Sequence, residues 1–350
     1  MSGGVDSSVA AAMLVDAGYT VHGITLQVWE PEDDTAAVSK RWQERSCCKV
    51  GIAKFVAQRL GITYEVIDTR QTFRKGVIDD FLNGYLEGET PNPCVRCNER
   101  VKLRSLYQLA EERGVDYVAT GHYARILPEK EGLALHRAQD RRKDQSYFLY
   151  RLSPSWLPRL LFPLGTMQKT DVWKQAELLG LPPDELKESQ EICFVSQGDY
   201  RTFIASEVPE SSQPGFFMDS AGHVLGRHDG VAFYTPGQRR GLGIATGHRL
   251  YVQRVDAQSR SVILGSEEDL YRSTCTVGDL NLFEDGLLQD RHEAEVKIRY
   301  ATAPSPAILS GNQDGTMTIS FHSPQRALSP GQSAVFYRSD RVLGGGIIQP

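Results

Sequence analysis

The chain has 350 residues, 40% of them apolar, enough to bury a large core spread over two or three domains. Its 39 Lys and Arg against 44 Asp and Glu give a formal charge of −5, which argues against bulk affinity for nucleic acid but leaves room for a local basic face. No apolar run is long enough to span a bilayer, no signal peptide is visible, and six scattered cysteines suit a reducing cytoplasm better than a disulfide scaffold.

The chain opens on Ser2-Gly3-Gly4-Val5-Asp6-Ser7-Ser8, which runs straight into the apolar stretch Val9–Ala17. This pattern predicts a tight loop feeding a helix N-terminus, where outward N–H groups and the helix dipole favour an anion. Two glycines let the main chain approach a phosphate, and the hydroxyls of Ser2, Ser7 and Ser8 add donors. The Gly-Lys-Ser/Thr ending of the nucleoside-triphosphatase loop is absent, so the segment provides no lysine of its own. It resembles the pyrophosphate loop of enzymes that split ATP between the first and second phosphates. Such loops follow a buried strand, and no apolar run precedes Ser2, so the expectation is either that the true start lies upstream of Met1 or that the first strand of the sheet is missing.

From the loop to about residue 125 the pattern alternates. Helical stretches fall near Ser7–Ala17, Cys48–Leu60 and Glu99–Arg113, and strand-like runs at Tyr19–Val28, Thr63–Ile67 and Tyr117–Thr120. Alternation of this kind predicts an α/β domain with a parallel sheet whose ligands sit at the carboxyl ends of the strands. Leu26 and Gly121 lie at such ends, where an adenosine is expected. Residues 125–195 read as a mixed extension with helical segments around Leu157–Leu161 and Lys169–Leu179. Beyond Gln197 short β-like runs take over, the clearest being Leu250–Val255, Ser261–Leu264, Ala294–Ile298, Thr316–Phe321 and Ser333–Tyr337. The expected division is a nucleotide-binding and catalytic domain over 1–196, a small β-rich central domain over 197–268 and a C-terminal β-barrel over 269–350.

Thr90-Pro91-Asn92-Pro93-Cys94-Val95-Arg96-Cys97-Asn98 is the second informative segment. Its prolines are expected to keep the chain out of helix until about Asn98, which would place Cys97 near a helix N-terminus, where a thiolate is favoured. Cys94 and Cys97 can face one centre, and Cys193 is a third candidate. Three readings stay open: a zinc knuckle completed by His122, a redox pair of Cys97 and Cys193 for persulfide transfer, and an iron–sulfur site using Cys94, Cys97 and Cys193. Cys47, Cys48 and Cys275 are given no role. Of two basic stretches, Arg96 to Arg104 is diluted by Glu99, and Arg137 to Lys143 lies alongside Asp140 and Asp144.

The opening loop, the TPNPCVRCN segment, ATGHYAR at 119–125, KDQSYFL at 143–149, SQEICFV at 189–195 and YTPGQRRGLGI at 234–244 occur in this order. Together they resemble the tRNA-specific 2-thiouridylase family, which thiolates the wobble uridine of tRNAs for Lys, Glu and Gln. The resemblance covers nearly the whole chain. It implies ATP bound by Ser2, Gly3, Gly4, Val5, Asp6, Ser7, Ser8, Leu26 and Gly121, with Asp6 placed to help Mg²⁺, and adenylation of the uracil 2-oxygen. It further implies a persulfide carried by Cys193 and attacked by Cys97, leaving a Cys97–Cys193 disulfide. By the same resemblance Asn92, Pro93 and Cys94 touch the target base, while His122, Lys143, Asp144, Gln145, Arg299, Tyr300 and Gln332 contact the tRNA.

In many members the position of Cys94 is an aspartate. A thiol there, with Cys97 and a distant cysteine, tips the expectation slightly toward a 4Fe–4S cluster over a persulfide. Arg96, Arg100, Lys143, Arg239 and Arg240 are candidates to hold RNA phosphates. A sulfur donor, either a persulfide carrier or a sulfide source, completes the expected partners, and no membrane partner is expected. The rival readings are another adenylating ligase or amidotransferase, which has no use for the three thiols, and a non-catalytic RNA-binding iron–sulfur protein.

Overall fold

Helix α1 (Val5–Asp16) starts directly from the glycine turn, with Gly3 at φ 74° and Gly4 extended as its N-cap. No side chain caps this end. In the computed structural model, residues 1–29, 50–130, 132–180, 192–195, 199–245 and 247–350 are described. Cys47, Cys48 and the start of the SQEICFV segment lie outside them. The described residues group into two compact units, one of 1–77, 94–195 and 340–342, the other of 78–93, 196–339 and 343–350.

In the first unit the alternating sequence folds as α/β. Strand β1 (His22–Gln27), helix α2 (Val50–Leu60) and strand β2 (Thr63–Asp68) follow α1, and β1 pairs with β2 in parallel from His22–Thr63 to Gln27–Asp68. Met1 hydrogen-bonds along β1, its amino group donating to the Ile24 carbonyl. A second parallel pair joins β3 (Val118–Ala119) to a later strand at Leu160–Leu161. Between them lies an antiparallel hairpin, β4 (Ala124–Glu129) with β5 (Gly132–Arg137), which the sequence pattern did not separate from its surroundings. The helix expected around Leu157–Leu161 is instead a 3-10 turn at Pro154–Arg159 that extends into β6 (Leu160–Leu161). Pro158 supplies no amide to an α-helical ladder, and Leu160 is already extended. The core packs Val5, Val9 and Ala10 of α1 against Val56, Tyr123, Leu164, Val172 and Ala176.

The TPNPCVRCN segment departs most from its sequence reading. A helix, α3 (Pro93–Cys97), begins at Pro93, five residues before the expected start near Asn98. Proline is suited to the first helical position because the amide it lacks would have no partner there. Helical structure then continues through a π turn at Asn98–Lys102 into α4 (Leu103–Glu112). Cys94 therefore occupies the first turn, and Cys97 sits one turn deeper, away from the free amides expected to favour its thiolate.

In the second unit, α6 (Tyr200–Glu207) follows α5 (Lys169–Leu178) of the first unit in chain order. Four strands form a sheet in the order β8 (Val224–His228), β7 (Gly215–Met218), β10 (Ser261–Gly265), β9 (Tyr251–Asp256), around Phe217, Tyr234, Val252, Val262 and Leu264. Six further strands are β11 (Tyr271–Leu282), β12 (Arg291–Lys297), β13 (Ser305–Gly311), β14 (Met317–Arg326), β15 (Ser333–Arg338) and β16 (Arg341–Ile348). They run β11-β14-β13-β12-β15-β16, and β16 pairs back onto β11, which closes a barrel and removes its edges. Alternating inward residues such as Ala307, Leu309, Met317, Ile319, Phe336 and Leu343 fill it. Among the described residues no helix is long and apolar enough to cross a membrane.

Candidate active site

The loop before α1 is drawn tight by its own hydroxyls. Ser7 Oγ and Ser8 Oγ both donate to the Gly4 carbonyl, at 3.1 and 3.0 Å, and the Ser2 amide donates to Ser7 Oγ at 3.1 Å. Because no side chain covers the end of α1, its first amides and their dipole remain available to an anion. Gly121 follows β3 and packs against this end: a β-carbon there would lie 2.8 Å from both the Asp6 carbonyl oxygen and the Ser7 nitrogen. Leu26 lies at the carboxyl end of β1, beside Ile67. Gly121 is thus brought onto the loop, and Leu26 onto a strand end in the same unit.

Asp6 is not a bare carboxylate. Its Oδ1 accepts from the Tyr123 hydroxyl at 2.8 Å and from Lys169 Nζ at 2.7 Å. The Lys169 ammonium also lies 5.6 Å from the Tyr123 ring centre and 5.5 Å from that of Trp173. Neither Tyr123 nor Lys169 was picked out from the sequence as a functional residue. The lysine stands 163 residues from Asp6, and only the packing of α5 on α1 brings them together.

Around the thiols a second group forms. Cys94 is exposed, yet enough protein surrounds it that desolvation pushes its thiol pKa up, opposed by the nearby Lys102 ammonium. His122 is half-buried, and its imidazole is pushed down to about 3 by burial and then by the same Lys102. His122 Nδ1 lies 2.8 Å from Thr120 Oγ1, and its ring meets Phe162 edge-on.

Cys97 is buried and Cys193 half-buried, both as free thiols. Beside Cys193, Phe194 is buried and packs edge-to-face on Phe73 with ring centres 5.7 Å apart. The short helix Arg70–Phe73 in turn packs on the π turn that follows Cys97. The turn after Cys97 and the residue after Cys193 thus each touch Arg70–Phe73. Among the described residues no three His, Cys, Asp or Glu side chains gather as a metal-ligand set. The expected trio of Cys94, Cys97 and Cys193 is not assembled for a cluster, nor is a zinc knuckle with His122.

Several expected RNA contacts are engaged within the protein. Asp144 is buried and accepts from the Ala138 amide at 2.9 Å and the Ser146 hydroxyl at 2.9 Å. Gln145 Oε1 accepts from the Tyr123 amide at 3.0 Å, so the Lys143–Gln145 turn is tied to the residue that holds Asp6. Lys143 is half-buried, its amide donating to the Asp140 carbonyl. Arg96 and Arg151 both reach Glu99, at 3.1 and 2.9 Å, and Arg100 lies 3.8 Å from it, which dilutes the charge of this stretch. In the second unit, Gln332 Nε2 donates to the Thr90 carbonyl at 2.7 Å, and the Thr90 amide donates to the Pro330 carbonyl at 2.7 Å. These bonds fix the approach to Asn92 and Pro93. Arg299 turns inward to the Ala327 carbonyl and Ser329 hydroxyl, whereas Tyr300, Arg239 and Arg240 are exposed.

The chain matches the family models described as the tRNA methyl transferase HUP domain over 1–197, the tRNA methyl transferase PRC-barrel domain over 201–266 and the aminomethyltransferase beta-barrel domain over 272–348. It is 43% identical to the tRNA-specific 2-thiouridylase MnmA of Acetivibrio thermocellus, over 100% of this chain and 98% of that protein. It is 46% identical to the protein of the same name from Sorangium cellulosum, over 100% and 91%. The corresponding protein of Pelotomaculum thermopropionicum is 44% identical, over 100% and 96%.

Proposed function

This chain belongs to the tRNA-specific 2-thiouridylase family, and from that premise we propose how its residues carry out ATP-dependent 2-thiolation of the tRNA wobble uridine. The observation that carries the reading is the uncapped N-terminus of α1, entered through Gly3 and Gly4 and overlain by Gly121. Ser2–Ser8 hold the phosphates, and the strand ends near Leu26 and Gly121 take the adenosine. The uracil 2-oxygen is a poor leaving group. Its attack on the first phosphate forms an O–P bond and breaks the bridge to the second, whose electron pair leaves with pyrophosphate.

Mg²⁺ fits this site. It takes one or two carboxylates together with substrate phosphates, and Asp6 offers a part-exposed carboxylate at the loop, with Oδ2 outside the two contacts described above. The ion would neutralise charge developing on the phosphates. A 4Fe–4S cluster does not fit the thiols as they stand, and no step is assigned to one.

For sulfur we favour the persulfide route. Cys193 carries an outer sulfur from a donor. The Cys97 thiolate attacks the inner sulfur, forming the Cys97–Cys193 disulfide and releasing hydrosulfide with the S–S electron pair. Hydrosulfide adds to carbon 2, and AMP departs with the former uracil oxygen. A thiol reductant then restores both cysteines. What supports this pairing is that the turn after Cys97 and Phe194 after Cys193 both touch Arg70–Phe73. Exposed Cys94, with Asn92 and Pro93 ahead of it, faces the base, and His122, Lys143, Tyr300, Arg239 and Arg240 approach the RNA. Asp144, Gln145, Arg299 and Gln332 shape the loops that bear these contacts.

The test is anaerobic incubation of unmodified tRNA with ATP, Mg²⁺ and a persulfide donor, followed by nucleoside mass analysis. The expected product is 2-thiouridine at the wobble position, with AMP and pyrophosphate released in equal amounts. Absence of both nucleotide cleavage and thiolation overturns the proposal.

A further inference from the structure

Ser2–Ser8 include no Lys or Arg, and α1 carries only Asp6 and Asp16 as charged groups. A triphosphate drawn to the α1 N-terminus therefore meets a carboxylate before it meets any positive side chain of this segment. We propose that Lys169 is the missing phosphate-binding lysine, stored on Asp6 in the absence of ATP and transferred to the departing pyrophosphate when ATP binds. The proposal rests on the assignment of Ser2–Ser8 as the phosphate loop.

Three observations point to Lys169. Its ammonium is 2.7 Å from Asp6 Oδ1, at the helix end where the phosphates are placed. It is the first residue of α5, where a cation opposes the helix dipole and an acid would be the stabilising choice. It is also only 8% exposed, although burial of a lysine costs free energy. A position unfavourable in both respects is understandable if the charge serves a ligand.

The surroundings allow the transfer. Asp140 Oδ2 accepts from the Lys169 amide at 3.0 Å and fixes the backbone, so only the four-carbon stem needs to move. The Tyr123 hydroxyl shares Oδ1 and keeps the carboxylate in place once the lysine leaves. The departure releases Asp6 for the Mg²⁺ described above, so a single movement adds a cation to the phosphates and frees a carboxylate. As the O–P bond to uracil forms and the bridge to the second phosphate breaks, the electron pair passes to pyrophosphate. Lys169 stabilises that charge, and the uracil N3 proton goes to solvent.

The experiment is titration of the full-length protein with inorganic pyrophosphate in the absence of divalent metal. K169M should weaken binding by about 10- to 100-fold, the range for losing one charge-assisted hydrogen bond, while K169R retains most of it. Affinity for unmodified tRNA should be unchanged, which separates loss of the ligand contact from loss of the fold. The wild-type protein gives a second readout. Movement of the ammonium off the Trp173 ring should change indole emission on pyrophosphate addition, and a W173F control should lack that change. Pyrophosphate binding by a folded K169M within twofold of wild type overturns the proposal, as does an unchanged Trp173 signal at saturation. Failure of the wild-type protein to bind pyrophosphate overturns the loop assignment itself.

Discussion

Gly121 and Asp6 meet backbone to backbone, with room for a hydrogen but not for a methyl group: an added β-carbon would stand 2.7 Å from the Asp6 carbonyl carbon. Neither partner is a flexible side chain, so the loop or the segment after β3 has to shift. G121A should therefore displace the amides at the start of α1 and lower AMP formation by about 100-fold, the scale of a 1 Å misplacement of a reacting group. Affinity for tRNA should stay within about twofold if the loop holds the phosphates of ATP, as proposed. AMP release in single turnover, measured beside tRNA filter binding, checks both. Near-normal AMP release would mean that the phosphates bind elsewhere.

Cys94 raises a question of timing. Desolvation lifts its thiol pKa above the ordinary value of 9.0, and Lys102 only partly offsets this. At neutral pH the residue is a protonated thiol, a hydrogen-bond donor and a poor nucleophile. Its alkylation by iodoacetamide, followed by peptide mass analysis, should accelerate only above pH 9. K102M should shift the onset higher, because the cation favours the thiolate. An onset below pH 8 would show Cys94 to be an activated thiolate and would reopen its place in sulfur transfer.

The His122 imidazole has the opposite shift in a neighbouring setting. Burial depresses its pKa from 6.5 to about 3, with Lys102 acting in the same direction. Between those values the unfolded chain binds a proton that the native chain does not, so stability falls as pH drops from 6.5 toward 3 and is unaffected by this group above 6.5. Urea midpoints compared between pH 6.5 and 4.5 should fall less in H122N than in wild type. Equal slopes would show the histidine protonating freely in the native state.

What the sequence made legible follows from how local each signal is. Ser2–Ser8 needed only neighbouring residues to be read as a loop feeding a helix, and β1, α2 and β2 follow from short-range periodicity. The start of α3 was misplaced because proline was read as a helix breaker, whereas Pro93 occupies the one helical position that needs no amide. Lys169 escaped because its role depends on an approach to Asp6 across 163 residues, which no local pattern encodes. The thiols show the same limit in reverse. The Cys-x-x-Cys spacing suggested a shared centre, yet one turn of α3 carries Cys94 to an exposed surface and Cys97 into the interior.

The contact between Phe73 and Phe194 anchors the chain beside Cys193. Both rings are buried, Phe73 completely and Phe194 at 3% exposure, and they meet at an interplanar angle of 74°. An edge-to-face pair of this kind contributes about 0.5–1.5 kcal/mol beyond the area it buries. Phe194 adjoins Cys193 directly, so its ring fixes where that thiol is presented. F194A should loosen the segment and lower the effective concentration of Cys193 at Cys97. Diamide-driven formation of the Cys97–Cys193 disulfide, followed by mass analysis of unreduced peptides, should slow by at least about tenfold. F194L keeps apolar bulk and should recover most of the rate, while pyrophosphate binding at the α1 loop should match wild type in both variants. Equal disulfide rates in wild type and F194A would separate Cys193 from the aromatic contact and remove its main structural support as the persulfide carrier.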